Sequence, residues 1–390
     1  MEQTPGLRPE LVADEAGIRR VSAEAASSRS VAIDTESDSL HSYHHKLCLI
    51  QLSFDGRHFV IDPLAIGREA LRPLAAVLED RGIEKVMHGA DYDLRVLQRD
   101  VGAVPVNVVD TQIAAQLLGE EQTGLAALVA REAGVALDKK FQRADWGARP
   151  LTPELLAYAA GDTAYLGLLR SSFAGKLAAL GRLGWWEEEC RALEEIRWEA
   201  QEPDPLAFEK VKGSAKLAGA ARDRLAALHG WREAVASEQD VPPFKVMHAE
   251  TLLALAQDPP ADLEALALVR GVGRGSVRRF GPAILRALAA PPPVPPRVPR
   301  NRWVVDRPRE ARTKQLRDAR DLLGKELALN PSVLASRAAL EEVVDSRPSD
   351  RAGLRACLGR EWRTEVLAPV LMPLVEGWRS GTAPADAEPA

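Results

Sequence analysis

Asp34 and Glu36 stand two apart in Val31-Ala32-Ile33-Asp34-Thr35-Glu36, where an apolar run reads as a buried strand leading into the acids. Strand side chains alternate between faces, so both carboxylates point to the same side of a sheet. Acids this close raise one another's pKa unless a cation lies between them. Asp93 follows Val86-Met87-His88-Gly89-Ala90-Asp91-Tyr92 near a helix start, where the helix dipole favours negative charge. Tyr158 and Asp162 lie four apart in a helical stretch and stack on one face. Taken singly, these features also fit a solvated strand edge, an ordinary helix N-terminus and a pair of helix neighbours. Together they supply hard oxygen donors from several elements with no His or Cys pair nearby. That donor set suits Mg²⁺ or Mn²⁺ held by carboxylates and water rather than zinc.

The elements that must position these acids alternate in type. Leu47 to Phe54 and Arg57 to Ile61 flank Asp55-Gly56, a pair that tolerates the positive φ of a two-residue hairpin. A helix over Glu69–Leu78, a strand over Glu84–Met87, a helix from about Tyr92 and a strand over Val106–Val109 follow. From Pro153 to Ala200 the apolar spacing is helical throughout. Three meandering strands and then βαβ alternation predict a mixed sheet flanked by helices, an α/β fold.

With these elements in place the order of the motifs becomes informative. Val31–Glu36 with Leu47-Cys48-Leu49-Ile50-Gln51-Leu52 resembles the first motif of the DEDD 3′–5′ exonucleases. His88–Leu97 resembles the second. Asp145-Trp146-Gly147-Ala148-Arg149-Pro150-Leu151 with Tyr158-Ala159-Ala160-Gly161-Asp162-Thr163-Ala164-Tyr165-Leu166 resembles the third. The tyrosine four residues before the last aspartate matches the tyrosine subtype, and the whole is similar to the ribonuclease D family over most of residues 25–200. The resemblance implies a ribonuclease H-like fold. It also implies Asp34, Glu36, Asp93 and Asp162 as ligands of two divalent metal ions about 4 Å apart, with Tyr158 orienting the attacking water. The implied reaction is metal-dependent 3′–5′ exonucleolytic release of nucleoside 5′-monophosphates from RNA 3′ ends, with tRNA precursors or other stable RNA as substrates. A DNA 3′–5′ exonuclease and a non-catalytic nucleic-acid-binding scaffold are the alternatives, and the presence of all four acids and the tyrosine counts against the scaffold. His88 reads as a structural histidine bonded to backbone, Asp110 as an N-cap, and His41, His44 and His45 as a flexible loop near substrate.

Composition fits an enzyme of this kind. Of 390 residues 46% are hydrophobic, enough for two or three domains with their own cores. Three scattered cysteines predict a reducing compartment without disulfides. No run approaches the roughly 20 apolar residues of a membrane span, and the charged N-terminal thirty residues do not read as a leader. A cytoplasmic protein is expected, with no membrane and no evident protein partner. The net charge of −5 conceals an asymmetry. Residues 1–200 hold 22 Lys and Arg against 31 Asp and Glu, whereas 270–320 hold 14 basic residues against three acidic ones. An acidic half followed by a basic stripe suits cation binding in one part and a polyanion in another.

The second half reads as helical. Leu225–Arg232, Val241-Pro242-Pro243-Phe244-Lys245-Val246, Leu266–Gly273 and Arg278-Arg279-Phe280-Gly281 closely resemble an HRDC domain, a small helical bundle. Gly271 and Gly273 can turn backbone amides toward a phosphate. Arg270, Arg274, Arg278 and Arg279 add charge beside them, although solvated arginines on a plain turn would look the same. Residues 308–380 resemble a second, divergent copy without the Pro-Pro-Phe and Gly-x-Gly features, suited to packing on its neighbours as much as to nucleic acid. Val246, Leu266 and Gly271 line up with Val333, Leu354 and Gly359 as a faint repeat. The expected organisation is an exonuclease domain over 1–205, an HRDC domain over 206–290 and a Pro/Arg-rich linker over 291–307. The second HRDC-like domain over 308–380 and a disordered tail over 381–390 complete it. The two all-α bundles thus follow the α/β domain.

Overall fold

A computed structural model describes residues 2–3, 7–200, 202, 204–296 and 306–381. The tail beyond 381 and the middle of the predicted linker lie outside the described residues. Six strands form the main sheet: β1 (Glu10–Val12), β2 (Ser30–Ser37), β3 (Leu47–Phe54), β4 (Arg57–Ile61), β5 (Glu84–Met87) and β6 (Val108–Asp110). Their order is β1-β4-β3-β2-β5-β6. The β2–β3 and β3–β4 pairs are antiparallel; β1–β4, β2–β5 and β5–β6 are parallel. This is the mixed sheet expected from the strand pattern. At the β3–β4 hairpin both Asp55 (φ 49°) and Gly56 (φ 73°) adopt the left-handed conformation the turn requires.

β2 and β3 are buried on both faces because helices cover each side of the sheet. On one face Ile33, Ile50 and Leu52 pack against Ile18 and Val21 of α1 (Glu15–Ala25) and Leu94 and Leu97 of α2 (Asp91–Asp100). On the other, Ala32 and Val86 meet α3 (Thr111–Leu117), α4 (Leu125–Ala133) and α6 (Leu166–Ala179). There α5 (Pro153–Ala164) lays Ala159 against Cys48, Leu49 and Val60, and α7 (Leu183–Leu193) closes the unit.

Three expectations are corrected. The Glu69–Leu78 helix is a 3₁₀ segment over Arg68–Leu74 followed by one α turn, Ala75–Leu78. Pro73 lacks the N–H that a continuous α-helix needs there. The helical stretch read over Pro153–Ala200 stops at Leu193 and consists of three helices, and the sixth strand is Val108–Asp110 rather than Val106–Val109. β1 and α1 were not singled out in the sequence.

Two successions of five helices follow. The first is α8 (Gly219–Glu238), a turn of helix at Pro243–Val246, α9 (Ala249–Gln257), α10 (Leu263–Leu268) and α11 (Arg274–Ala289). The second is α12 (Arg307–Glu326), a turn at Pro331–Leu334, α13 (Arg337–Ser346), α14 (Arg351–Leu358) and α15 (Glu361–Ser380). The faint repeat now has a structural meaning. Val246 and Val333 sit in the short turns, Leu266 and Leu354 are fully buried, and Gly271 and Gly359 are left-handed (φ 89° and 71°).

The two modules attach differently. The first has a core of its own, built on Leu225, Leu228, Leu252, Leu255, Leu266 and Ile284. The second shares one continuous core with the sheet domain, running from Phe173, Trp186 and Cys190 to Leu340, Trp362 and Leu371.

Candidate active site

Asp34 and Glu36 project from β2, paired with Gln51 and Leu49 of β3, with a register shift between Glu36 and Ser37. Asp162 comes from α5, whose start is fixed by Thr152 accepting from the Leu155 N–H and by Pro153 in the first turn. The small residues Ala159 and Ala160 are buried and let this helix approach the sheet closely. One oxygen each from Asp34, Glu36 and Asp162 lies within 4.8 Å of the others. Asp93 stands beside this trio rather than in it. It sits in the first turn of α2, which covers the opposite face of β2, and its carboxylate accepts a hydrogen bond from the Thr35 hydroxyl.

Burial raises all four acids, and their mutual repulsion adds to it. Asp34 is pushed well above the carboxylate range by burial and then by Asp93, Asp162 and Glu36, in that order. Glu36 rises to about 9, Asp162 to about 7 and Asp93 to about 6, the last restrained by the Thr35 bond. Asp93 is therefore close enough for Asp34 to feel it first among its charged neighbours. Crowding these acids together with no lysine or arginine paired to them among the described residues leaves room for a hard cation. Asp34, Glu36 and Asp162 fit such an ion by donor type and spacing, with Asp93 alongside.

Tyr158, one helical turn before Asp162, is held by aromatic rings. Phe141 meets it edge-on at 5.8 Å and Trp146 lies tilted at 5.9 Å. Burial, Asp162, Glu36 and Asp34 push its phenol further above its ordinary range, so it keeps its proton. The segment carrying Trp146 is clasped by Arg149, whose guanidinium makes two 2.7 Å bonds to Asp62 and others to the Trp146 and Cys48 carbonyls. Asp62 in turn caps Pro63–Ile66 through the Leu64 and Ala65 N–H groups. The Asp62-Pro63 pair is a readable cap signal, but its partnership with Arg149 is not local in sequence.

Asp110 caps α3 as expected and does more. Besides Gln112 and Ile113, it accepts from the Gly89 and Ala90 N–H groups, so the same carboxylate braces the turn that delivers Asp93. His88 is structural: its Nδ1 meets the Thr111 hydroxyl at 2.9 Å, and that hydroxyl donates to the Met87 carbonyl. The histidine loop is not free. His41 Nε2 lies 3.3 Å from the Arg143 carbonyl and His44 Nε2 lies 3.2 Å from Ser237 Oγ of the first helical module.

The first module's basic turn is open to solvent. Arg270, Arg274, Arg278 and Arg279 are exposed and none forms an ion pair among the described residues. Gly271 allows the turn: a Cβ there would lie 2.3 Å from the Thr251 hydroxyl. Gly273 N-caps α11 without a side-chain bond of its own. No helix among the described residues is long and apolar enough to cross a membrane.

Comparison with known proteins agrees with this geometry. The profile of a 3′–5′ exonuclease domain matches residues 9–178 and that of the HRDC domain matches residues 221–288. A ribonuclease D of Gluconacetobacter diazotrophicus is 36% identical over 265 residues, covering 67% of this chain and 66% of the relative. That of Xanthomonas oryzae pv. oryzae is 34% identical over 355 residues, covering 90% and 95%. Among solved structures, Escherichia coli RNase D superposes with a TM-score of 0.67 at 26% identity, covering 95% of this chain and all of the other. Fold, acidic cluster and profiles together define a 3′–5′ exonuclease of the divalent-metal-dependent class, followed by a nucleic-acid-binding helical module. Identity and coverage carry this further: the chain belongs to the ribonuclease D family and is a 3′–5′ exoribonuclease.

Proposed function

We propose that hydrolysis takes place at Asp34, Glu36 and Asp162, with Asp93 as the fourth acid, and that two Mg²⁺ or Mn²⁺ ions bind there. Such ions, when bound, lower the pKa of water and neutralise charge on the leaving 3′ oxygen. The chain's own contribution is placement. β2 fixes two carboxylates in register, α5 brings Asp162 and Tyr158 on one face, and Thr35 holds Asp93 at the strand's edge. Tyr158, kept protonated, donates a hydrogen bond that orients the attacking water rather than removing its proton. Nucleoside 5′-monophosphates are the product.

The exposed arginines at 270, 274, 278 and 279 and the amides around Gly271 and Gly273 bind the RNA backbone upstream of the 3′ end. Structured RNA, tRNA precursors included, is the substrate; the E. coli relative is described as an exoribonuclease involved in structured RNA processing. The reading divides the chain into an exonuclease domain over 1–205, an HRDC domain over 206–290 and a second, HRDC-like module over 308–380. It places the protein in the cytoplasm.

The observation that carries the proposal is the trio of oxygens within 4.8 Å in a buried, anion-crowded setting. Asp34→Ala and Asp162→Ala should each abolish metal-dependent release of 5′-monophosphates from an RNA 3′ end while leaving the circular dichroism spectrum unchanged. Retained hydrolysis in either variant would overturn the assignment. Tyr158→Phe should lower kcat without weakening metal binding. A matched RNA and DNA pair of 3′ ends in the same assay tests the choice of backbone.

A further inference from the structure

Asp240, just past the end of α8, is one of five non-glycine residues with positive φ (48°) among the described residues. That left-handed residue closes α8, where the Val241 N–H donates to the Ala236 carbonyl at 3.0 Å. From this helix end the Asp240 side chain reaches across to the exonuclease domain. Asp240 Oδ1 accepts from the N–H groups of Tyr43 (3.1 Å) and His44 (2.9 Å), and Oδ2 pairs with Lys46 Nζ at 2.7 Å. Ser237 adds its contact with His44. The grasped segment is the connection between β2, which carries Asp34 and Glu36, and β3.

The same connection touches the wall of the site at its other end. Asp38, buried, accepts from the Lys46 N–H at 2.7 Å, and His41 reaches the Arg143 carbonyl. Arg143 opens the short segment that ends in Trp146, the ring beside Tyr158. Hydrogen bonds thus tie Asp240 to the 38–46 connection, and the connection to the stretch of chain that carries Trp146 to Tyr158.

We propose that Asp240 is a positioning residue: by clamping the 38–46 connection it lets the docked helical module set the geometry of Tyr158 and so the rate of hydrolysis. This role differs from gripping RNA, and it rests on the reading of Tyr158 given above. Losing the clamp misplaces a water-orienting group without removing any group that touches substrate, and small misplacements of that kind lower rates steeply.

The test uses the full chain under single-turnover conditions, with enzyme saturating over a short labelled RNA so that binding does not limit. Asp240→Ala is expected to slow the cleavage step about tenfold, with the RNA dissociation constant within twofold of wild type. Asp240→Asn, which keeps an acceptor for the two N–H groups, should recover most of the rate. Trypsin should cut after Lys46 faster in Asp240→Ala than in wild type. A wild-type cleavage rate in Asp240→Ala, or a defect confined to RNA affinity, would overturn the proposal. Should Asp240→Ala not fold, Lys46→Gln keeps the backbone grip and removes only the ion pair; it is expected to give a smaller loss of rate, and a rate equal to wild type would then count against the clamp. Failure of the underlying reading is separable, since it appears as an unslowed Tyr158→Phe in the otherwise wild-type chain.

Discussion

The fold makes ionisation of Asp34, Glu36, Asp93 and Asp162 costly until something positive arrives. Their folded pKa values lie above the ordinary carboxylate range, with Glu36 near 9, Asp162 near 7 and Asp93 near 6. Between about pH 4 and pH 9 the metal-free fold therefore binds more protons than the unfolded chain, and its stability falls as pH rises. A bound cation reverses the preference by favouring the ionised acids. Melting curves in chelator should accordingly show a midpoint that drops from pH 6 to pH 9, and Mg²⁺ should raise the midpoint more at pH 9 than at pH 6. Equal Mg²⁺ shifts at the two pH values would contradict the proposed ligands. Tyr158 adds nothing to this titration, because its phenol stays protonated throughout the range.

The elements that aim these groups depend on a few braces. Asp110 serves two at once, the start of α3 and the turn before α2. Asp110→Ala would leave the buried Ala90 N–H and the half-buried Gly89 N–H without this acceptor, at about 1–3 kcal/mol each; denaturant melts should register a loss of at least ~2 kcal/mol, and kcat should fall as Asp93 shifts. Thr35→Val removes only the hydroxyl that holds Asp93, so it should slow hydrolysis with a smaller change in stability. Much of this scale was readable in the chain. The β3–β4 hairpin was legible because Asp55-Gly56 encodes its turn locally, and the acids of β2 because alternation fixes their face. The Arg68–Leu78 segment was not, since helical spacing of apolar residues does not reveal that Pro73 interrupts the hydrogen-bond ladder. β1 is three residues long, too short for any period to register. The bonds from Thr35 to Asp93 and from Tyr43 to Asp240 span 58 and 197 residues, beyond the reach of any local pattern.

At the scale of the whole molecule the second helical module is bolted to the exonuclease domain. Trp185 and Trp362 stack at 4.6 Å, Glu188 accepts from the Glu361 and Trp362 N–H groups, and Glu189 accepts from the Trp362 indole and pairs with Arg360 and Arg363. Arg182 bridges the Leu117 and Leu327 carbonyls. A Cβ on Gly119, which is left-handed, would lie 2.0 Å from the Ala328 carbonyl oxygen. Trp362→Ala should cost about 3–5 kcal/mol and lower the unfolding midpoint of the exonuclease domain itself, measured by loss of nuclease activity on heating. A midpoint unchanged from wild type would mean that the two parts melt independently. The shared core also sets a timetable for birth at the ribosome. The face of α7 that carries Trp185 stays bare until α15, the last helix described, has been translated, a wait of roughly ten to forty seconds at ordinary elongation rates. During that interval the nascent exonuclease domain displays a greasy surface, making it a natural client for chaperones.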